Sequence, residues 1–378
     1  MAVRPNGRAR GGGARLNLAI VGCGRVVERY HLPALARTPQ WNLVSACDPL
    51  AERREWMARQ LGRPAVFETL SELVDASHPD AALVATPPSA HREAVVPALE
   101  AGIDVLVEKP MALSAVDANQ MWQTSLRTQT RLAVGFSRRF QRSYLELRER
   151  LALLAPRDVE LIRFDLAGNA AAWKPVTDFL GDDRRGGGPL DDLAPHQLDF
   201  LPWLVRQRVT RVRARRPAVT EAHSERIEFA LEFETGLIAE CRVGHGPRRE
   251  ESLRILLRDR QLILDGDRLF ELRRRSAAWT RAYLRVRRLR DRLTGQRQAA
   301  EDGVTPFARQ LCSFAQFCQS SGEGEAPSES RANGSAGLSL GPDAIADGMS
   351  GLHTVRVVEA CRESLRSGSS WASVQSSA

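Results

Sequence analysis

Hydrophobic and polar positions in the first third of the chain alternate between short apolar runs and longer amphipathic stretches. The apolar runs predict strands at Leu16–Val21, Trp41–Cys47, Ala81–Ala85, Asp104–Val107 and Arg131–Phe136. Helical spacing separates most of them, and this order is typical of βαβ units in a parallel sheet. Because the runs are almost wholly apolar, we expect helices on both faces of the sheet. The pattern predicts a doubly wound α/β domain over residues 16–137.

The pattern changes after about residue 155, where strands dominate. Ile227–Phe233 and Leu237–Val243 alternate apolar and polar residues around a turn at 234–236, which predicts an antiparallel hairpin. Apolar residues at helical spacing predict helices at Pro189–Val205, Thr305–Gln319 and 342–367. We therefore expect a second, α+β domain over residues 138–378 with an open, mainly antiparallel sheet. Its closing helix, 342–367, is long enough to pack back on the first domain.

Positive charge is concentrated in two segments. The chain of 378 residues has a formal net charge of +8, but segment 273–297 contains ten arginines and one aspartate, and residues 1–15 contain four arginines and no acid. The remainder is mildly acidic, which argues against a nucleic-acid partner, because such a partner requires a basic face on the folded domain itself. Residues 1–15 are Gly-rich and precede no long apolar run, so they predict a disordered tail and not a secretion signal.

The Arg-rich segment 273–297 has three interpretations. Trp279, Tyr283, Val286 and Leu293 recur in it at helical spacing, with arginines on the remaining faces. The segment can be a solvated helix packed on the body, can attract an anionic substrate such as a nucleotide-diphosphate sugar, or can lie on an anionic membrane surface. No run of roughly 18 uncharged apolar residues occurs, so we expect no transmembrane helix.

The remaining composition indicates a cytoplasmic protein without a metal site. The six cysteines form no CxxC pair and have no metal-ligand spacing, which predicts buried thiols in a reducing compartment. Residues 320–341 are rich in Ser, Gly and Glu and predict a mobile loop.

A glycine-rich turn follows the first predicted strand. The sequence Gly-Cys-Gly-Arg-Val-Val at 22–27 lies between that strand and a helix, the setting of the Rossmann dinucleotide-binding fingerprint. Gly22 permits a tight turn, and Gly24 lets a pyrophosphate approach the backbone. Arg25 and Val26 begin the helix, whose amides and dipole favour the anion. The turn predicts a dinucleotide site.

Asp48 ends the second predicted strand and indicates which dinucleotide is bound. A carboxylate there can accept hydrogen bonds from the adenosine ribose hydroxyls and repels a 2′-phosphate, so the sequence favours NAD over NADP. Arg53 and Arg54 on the next helix leave NADP open.

Candidate reacting groups come from two distant parts of the chain. Lys109, one of only two lysines, directly follows the strand Asp104–Val107, and ligands of doubly wound sheets lie at the carboxyl ends of strands. In the second half, three glycines at 186–188 lead into a helix that bears Asp192, His196 and Asp199. Their spacing of four and three residues predicts one shared helix face. A histidine with two carboxylates near a cofactor predicts acid–base chemistry.

With these residues, the chain resembles the Gfo/Idh/MocA oxidoreductases, which include glucose–fructose oxidoreductase and inositol dehydrogenase. The resemblance covers nearly the whole chain after the tail. It depends on five motifs besides Asp48: AIVGCGRVVERYHLPAL near the start, ATPPSAH at 85–91, AGIDVLVEKPMAL at 101–113, VGFSRRF at 134–140 and GGGPLDDLAPHQLDFLPWL at 186–204. Departures are Val27 in the fingerprint and Ala194-Pro195 before the histidine.

The resemblance implies roles for individual residues. It implies a catalytic set of Lys109, Asp192 and His196, with a Lys-Pro peptide that is often cis in relatives. It also implies that Thr86, Pro87 and His91 lie along the cofactor and that Glu108 contacts its nicotinamide side. The second domain is implied to set substrate specificity, and its open sheet often forms a subunit interface, so we expect a homo-oligomer.

The implied reaction is oxidation of a secondary alcohol on a sugar, cyclitol or nucleotide-sugar, or reduction of the ketone. His196 would act as general base, Lys109 would stabilise the developing alkoxide, and Asp192 would orient both. Asp199 is a candidate contact to a substrate hydroxyl, and Trp173 and Lys174 are candidate pocket residues. Two alternatives stay open: a non-catalytic dinucleotide sensor, and a glycosidase that recycles NAD within each turnover.

Overall fold

The computed structural model of the chain describes residues 15–62, 65–168, 188–217, 226–246, 250–274, 277–293, 301–320 and 344–375. Several predictions concern residues outside these ranges. They are the basic tail up to residue 14, almost all of the loop 320–341, and the candidate pocket residues Trp173 and Lys174.

Two sheets organise the described residues, and their strands are numbered in chain order. Strands of the first half are β1 Leu16–Val21, β2 Trp41–Cys47, β3 Val66–Phe67, β4 Ala81–Val84, β5 Asp104–Val107, β6 Leu132–Val134 and β7 Val159–Gly168. Strands of the second half are β8 Val209–Arg215, β9 Arg226–Phe233, β10 Ile238–His245, β11 Glu250–Leu257, β12 Arg260–Asp265, β13 Arg268–Arg273, β14 Ala346–Asp347 and β15 Ala372–Ser373.

Helices cover these sheets and are numbered in the same way. A π-helical turn at Val27–His31 leads into the first of them. They are α1 Leu32–Leu35, α2 Ala51–Leu61, α3 Leu70–Ser77, α4 His91–Glu100, α5 Ala115–Thr128, α6 Arg142–Ala152, α7 Pro189–Asp192, α8 Ala194–Val205, α9 Ala277–Leu293, α10 Thr305–Gln319 and α11 Gly348–Arg366.

The first sheet is the predicted doubly wound sheet, and this part of the fold prediction is confirmed. Its order is β14-β6-β5-β4-β1-β2-β3, and every pairing is parallel except that of β14 with β6. Strands β4 and β5 are fully buried, as expected for strands with helices on both faces. The carboxyl ends of β1, β4 and β5 therefore lie side by side at one edge, where a ligand is expected.

The second sheet is mainly antiparallel, as predicted, and contains the expected hairpin of β9 and β10. Its order is β13-β12-β11-β7-β10-β9-β8-β15. The exception is the central pair, β7 and β10, which run parallel, so that Gly168 and His245 end at the same edge. One face of the sheet carries the apolar core, which includes Phe164, Leu253 and the side of α8 around Phe200.

The helix predicted at Pro189–Val205 is interrupted. Leu193 keeps helical torsion angles, but the ladder of backbone hydrogen bonds breaks there, so α7 ends at Asp192 and α8 begins at Ala194. Pro195 has no amide hydrogen to continue the ladder, and His196 N bonds instead to the carbonyl of Leu193. Asp192 thus ends one helix, and His196 and Asp199 lie on the next, so the single helix predicted for the three residues is corrected to two.

Two C-terminal helices complete the first sheet. Helix α10 covers one face of it, where Trp41 Nε1 donates to the carbonyl of Leu311 at 2.8 Å and stacks near Phe314. Helix α11 contributes Leu352 to the core on the other face, and β14 pairs with β6. Residues 305–319, which the sequence analysis placed in the second domain, thus pack against the first sheet.

Adjacent arginines hold the two sheets in a fixed relation. Arg138 forms a buried ion pair with Glu251 on β11, and Tyr144 contacts both. Arg139 donates from Nε to Asp199 Oδ2 at 2.8 Å, with a second contact to the other oxygen, and both side chains are almost fully buried. Because α8 carries Asp199, this pair fixes the helix that also carries His196.

Within the described residues, none of the helices is both long enough and apolar enough to cross a membrane.

Candidate active site

The turn after β1 has the shape that a dinucleotide-binding turn requires. Gly22 has a φ of +89°, and a β-carbon there would lie 2.9 Å from backbone atoms of Ala85 and Thr86. A β-carbon on Gly24 would meet no atom within 4 Å. The space beside Gly24, at the helix start formed by Arg25 and Val26, fits a pyrophosphate group.

Substitutions at the two glycines are expected to separate stability from cofactor binding. Gly22→Ala should lower the free energy of unfolding by about 1–3 kcal/mol, because the new side chain meets backbone in a left-handed conformation. Gly24→Val should change that free energy by less than about 0.5 kcal/mol, yet weaken NADH binding by about tenfold or more, because its side chain enters the pyrophosphate space. Thermal unfolding and NADH fluorescence titration measure the two effects. Similar stability losses in both variants would contradict this assignment.

Asp48 is fixed beside the same turn. Its Oδ2 accepts from the amide of Cys23 at 2.8 Å, and its Oδ1 accepts from the amide of Leu50 at 2.9 Å. Burial, aided by the charge of Asp48, raises the pKa of the Cys23 thiol to about 12, so this thiol stays protonated. The carboxylate is thus held in place by backbone and keeps lone pairs for further donors.

Arg53 and Arg54, which left NADP open, both face other acceptors. Arg54 donates to the carbonyl oxygens of Asp48 and Pro49 at 2.9 and 2.8 Å. Arg53 lies 3.7 Å from the carboxylate of Glu28.

The end of β5 meets the second domain through Lys109. Its Nζ donates to Asp192 Oδ1 at 2.7 Å and to the carbonyl oxygen of Asp192 at 2.8 Å. The following peptide bond, Lys109–Pro110, is cis, as the resemblance implies. Both side chains keep partial exposure, 17% and 25%, so the pair is not sealed in the interior. Residues 83 positions apart are therefore joined at the predicted place.

Asp192 is a permanent anion at the centre of this site. Burial acts to raise the pKa of its carboxyl, but the charge of Lys109 outweighs burial, aided by His245 and His196, and holds the pKa well below its usual range. The neighbouring Asp191 faces the other way and pairs with Arg362 of α11. The two consecutive carboxylates thus anchor α7 on both sides.

Two histidines bear on Asp192, and sequence reasoning found only one of them. His196, half-buried on α8, lies close enough to lower the pKa of Asp192. His245 was missed: its Nε2 lies 3.6 Å from Asp192 Oδ2, on the carboxylate oxygen that Lys109 does not use. The distance is within ion-pair range but beyond a direct hydrogen bond. Gly168 makes room here, since a β-carbon would come 3.1 Å from Leu193 and 3.7 Å from His245.

Glu108 is engaged by a residue of the glycine-turn helix. Its Oε1 lies 2.7 Å from His31 Nε2, and its Oε2 accepts from the amide of Lys109 at 3.1 Å. Burial acts to raise the pKa of Glu108, but the hydrogen bond with His31 and nearby positive charge lower it overall. This carboxylate, which the resemblance implies as a nicotinamide contact, therefore also fixes the backbone of Lys109. His31 was missed by sequence reasoning.

His91 joins the cofactor-side loop to the segment after Lys109. Its Nε2 lies 2.9 Å from the carbonyl of Thr86, and its Nδ1 lies 2.9 Å from the carbonyl of Pro110. The side chain has no exposed surface. His91 therefore holds the Thr86-Pro87 loop in place, and its predicted position along the cofactor stays a prediction.

Asp199 pairs with an arginine of the segment that follows β6. Both of its oxygens face Arg139, and the residue is 4% exposed. The structure thus gives it an ion-pair partner in place of the predicted substrate hydroxyl. Across the described ranges, no group of three or more His, Cys, Asp or Glu residues could hold a metal ion.

A doubly wound domain with this glycine turn, joined to a second sheet by a Lys–Asp pair, defines the class of two-domain Rossmann-type oxidoreductases. Residues 16–136 match the model of the oxidoreductase family with an NAD-binding Rossmann fold, and residues 146–263 match the GFO/IDH/MocA C-terminal domain. The chain belongs to the Gfo/Idh/MocA oxidoreductase family, which confirms the resemblance.

Individual relatives match about half of the chain. D-glucoside 3-dehydrogenase of Escherichia coli (strain K12) is 30% identical over 50% of this chain and 54% of its own. Myo-inositol dehydrogenase Hyg17 of Streptomyces leeuwenhoekii is 33% identical over 52% of this chain and 58% of its own. The chain thus spans little more than half the length of these curated relatives.

Solved structures match the fold along the whole chain. The WlbA dehydrogenase from Bordetella pertussis, solved with NADH and UDP-GlcNAcA, has a TM-score of 0.73 at 20% identity and covers 97% of this chain and 99% of its own. Myo-inositol 2-dehydrogenase from Lactobacillus plantarum has a TM-score of 0.71 at 18% identity, over 96% and 100%. These likenesses confirm the two-domain fold.

Proposed function

We propose that the protein transfers hydride between a nicotinamide dinucleotide and a secondary alcohol or ketone of a sugar, cyclitol or nucleotide-sugar. The observation that carries the proposal is the 2.7 Å contact of Lys109 Nζ with Asp192 at the edge where β1, β4 and β5 end. A cationic amine with partial exposure is there held at the junction of the two sheets. The family's named relatives include dehydrogenases of glucosides and inositols, which supports this substrate class.

In this reaction, different residues stabilise the developing charge and transfer the proton. Lys109 donates to the reacting oxygen and stabilises the negative charge that develops on it. His196 takes the hydroxyl proton during oxidation and returns it during reduction, since imidazole titrates near neutral pH. Asp192 accepts two hydrogen bonds from Lys109 and so fixes the direction of its amine. When bound, the nicotinamide supplies the two-electron acceptor or donor. Gly22, Gly24 and the Thr86-Pro87 loop hold the dinucleotide.

His245 is in our proposal a positioning residue. It faces Asp192 Oδ2 while Lys109 holds Oδ1, so the carboxylate is fixed from two sides. A substrate hydroxyl next to the reacting carbon can bond to His245 and Asp192 together. Its contribution is therefore expected mainly in KM.

His245→Phe is expected to lower kcat/KM by about tenfold, mostly through KM, because a donor to the substrate hydroxyl beside Asp192 is lost. His245→Gln keeps a donor of similar length and should restore most of the loss. His78→Gln, on the exposed end of α3, is the matched control. Unchanged KM in His245→Phe would contradict the assignment.

We infer NAD as the preferred cofactor, since Asp48 is fixed beside the turn and both nearby arginines face other acceptors. Asp48→Asn removes the charge but keeps an oxygen for the amide of Cys23. We expect kcat/KM with NAD to fall by about tenfold and the preference for NAD over NADP to shrink. Steady-state rates with both cofactors measure this. A preference that stays the same in Asp48→Asn would show that the carboxylate does not select the cofactor.

The function itself is tested by a substrate screen. Sugars, inositols and nucleotide-sugars are offered with NAD, and reduced nicotinamide is followed by absorbance, after removal of any dinucleotide that copurifies. Net NADH formation during steady turnover supports the dehydrogenase and contradicts the NAD-recycling glycosidase. NADH binding without turnover of any member of the panel, in either direction, would favour the sensor. Association into a homo-oligomer through the open sheet stays a prediction.

A further inference from the structure

Helix α9, from the Arg-rich segment, is attached to the second sheet by one side. Gln261 on β12 donates to Thr280 Oγ1 at 3.1 Å, Leu284 is buried, and the Arg287 guanidinium lies 4.8 Å from the centre of the Phe270 ring. Gln261 and Phe270 point away from the core that α8 covers, since β12 directs Leu262 and Leu264 into that core. Helix α9 therefore lies on the opposite face of the sheet from the candidate active site.

The outer side of α9 carries an exposed apolar stripe. Trp279 is 45% exposed and Val286 is 68% exposed. Tyr283 lies between them and stacks on Trp279, with ring centres 5.3 Å apart and planes 11° from parallel. The spacing of four and three residues puts all three on one side of the helix, and it continues in the sequence at Leu289 and Leu293. Large apolar side chains at this density are unusual on a solvated surface.

Arginines without carboxylate partners flank this stripe. Arg281 and Arg285 are exposed, and no carboxylate among the described residues lies within ion-pair distance of either. The same sheet face beyond the helix is different, because Arg163 and Arg211 pair there with glutamates at 2.8 and 2.6 Å. Within the described part of the chain, the two α9 arginines Arg281 and Arg285 thus present positive charge beside aromatic and aliphatic groups without a carboxylate partner.

We propose that α9 docks the protein on the surface of an anionic lipid bilayer. Tryptophan, tyrosine and valine enter the boundary between headgroups and acyl chains, and the flanking arginines bind the lipid phosphates. A second copy of the chain fits this surface poorly, because two helices with six arginines and one aspartate each would meet with like charge. Helix α9 lies on the opposite face of the sheet from the candidate active site. This position disfavours a role in attracting an anionic substrate to that site. The helix lies on the membrane and does not cross it.

Vesicle flotation at physiological salt tests the proposal with the full-length protein. Vesicles of phosphatidylcholine alone are compared with vesicles that contain phosphatidylglycerol. The variants are Trp279→Ser/Val286→Ser, which removes the apolar stripe, and Arg281→Glu/Arg285→Glu, which reverses two charges. The matched controls are Val116→Ser/Leu126→Ser on α5 and Arg59→Glu/Arg258→Glu at exposed sites, which make equal changes elsewhere. Circular dichroism and activity without vesicles confirm that each variant is folded.

We expect binding to the anionic vesicles only, reduced by about tenfold or more in both α9 variants and retained in both controls. Three outcomes would overturn the proposal. One is absence of binding by the unmodified protein. Another is an equal loss of vesicle binding in the Arg59→Glu/Arg258→Glu control, or full vesicle binding by Trp279→Ser/Val286→Ser. Either result would show that binding depends on net charge alone. The last is dissociation of an oligomer by the Trp279→Ser/Val286→Ser change, seen by light scattering, which would assign the stripe to a second copy.

Discussion

Lys109→Met is expected to lower kcat by roughly 10²–10³-fold, because one donor to the developing alkoxide is lost from a partly desolvated site. Methionine preserves the length and most of the apolar contacts of the side chain, so the fold should persist. Binding of NADH should weaken little, since the glycine turn and Asp48 lie on other elements. Steady-state kinetics on the substrate found by the screen and NADH fluorescence titration measure the two effects.

The loss of Lys109 also leaves Asp192 without its main countercharge, and a second variant separates the two consequences. In Lys109→Met/Asp192→Asn both positions are neutral, so no unpaired carboxylate remains. If Lys109 acts on the reacting oxygen, the double variant stays as slow as the single one. Recovery of turnover in the double variant would mean that Lys109 serves only to neutralise Asp192.

His196→Ala should lower kcat by roughly 10²–10⁴-fold, the usual range for loss of a general acid–base group. The wild-type rate of alcohol oxidation should fall at acid pH, where a protonated imidazole cannot accept the hydroxyl proton. The variant should lose this acid limb, and its residual rate should rise with hydroxide. The measurement is kcat against pH in the oxidation direction.

His353→Ala is a histidine control that lies outside the site. Burial, with Arg208 and Arg356 nearby, lowers the pKa of His353 to about 4, and its imidazole accepts from the amide of Val209. Its replacement should lower stability but leave the pH profile of kcat unchanged. The same shift of the acid limb in both variants would remove His196 from the proton-transfer role.

Elements with a strong hydrophobic period could be predicted from the sequence. The apolar strands β1, β2, β4 and β5 and the hairpin of β9 and β10 all form where the pattern places them. The segment with β3 and α3 was missed, since a two-residue strand gives no measurable alternation. The break at Leu193 was also missed, because apolar spacing continues across it and only backbone bonding reveals it.

Residues of the candidate site could be predicted only where the sequence immediately around them indicated their position in the fold. Lys109 directly follows one apolar strand, and Gly22 lies between another apolar strand and a helix. Both residues could therefore be recognised from the sequence. His245 did not, because only the parallel pairing of β7 with β10 brings it to Asp192, far away in sequence. Asp199 was assigned to the substrate because the sequence does not show that Arg139, 60 residues earlier, neutralises it.

The first sheet receives one of its covering helices from the far end of the second domain. Helix α10 and strand β14 leave the ribosome long after β1–β6, and α11 then packs against both sheets. One apolar face of the first sheet is therefore covered only by residues that are synthesised last. Because α11 joins the cores of both sheets, we expect the two halves to lose their structure together on unfolding.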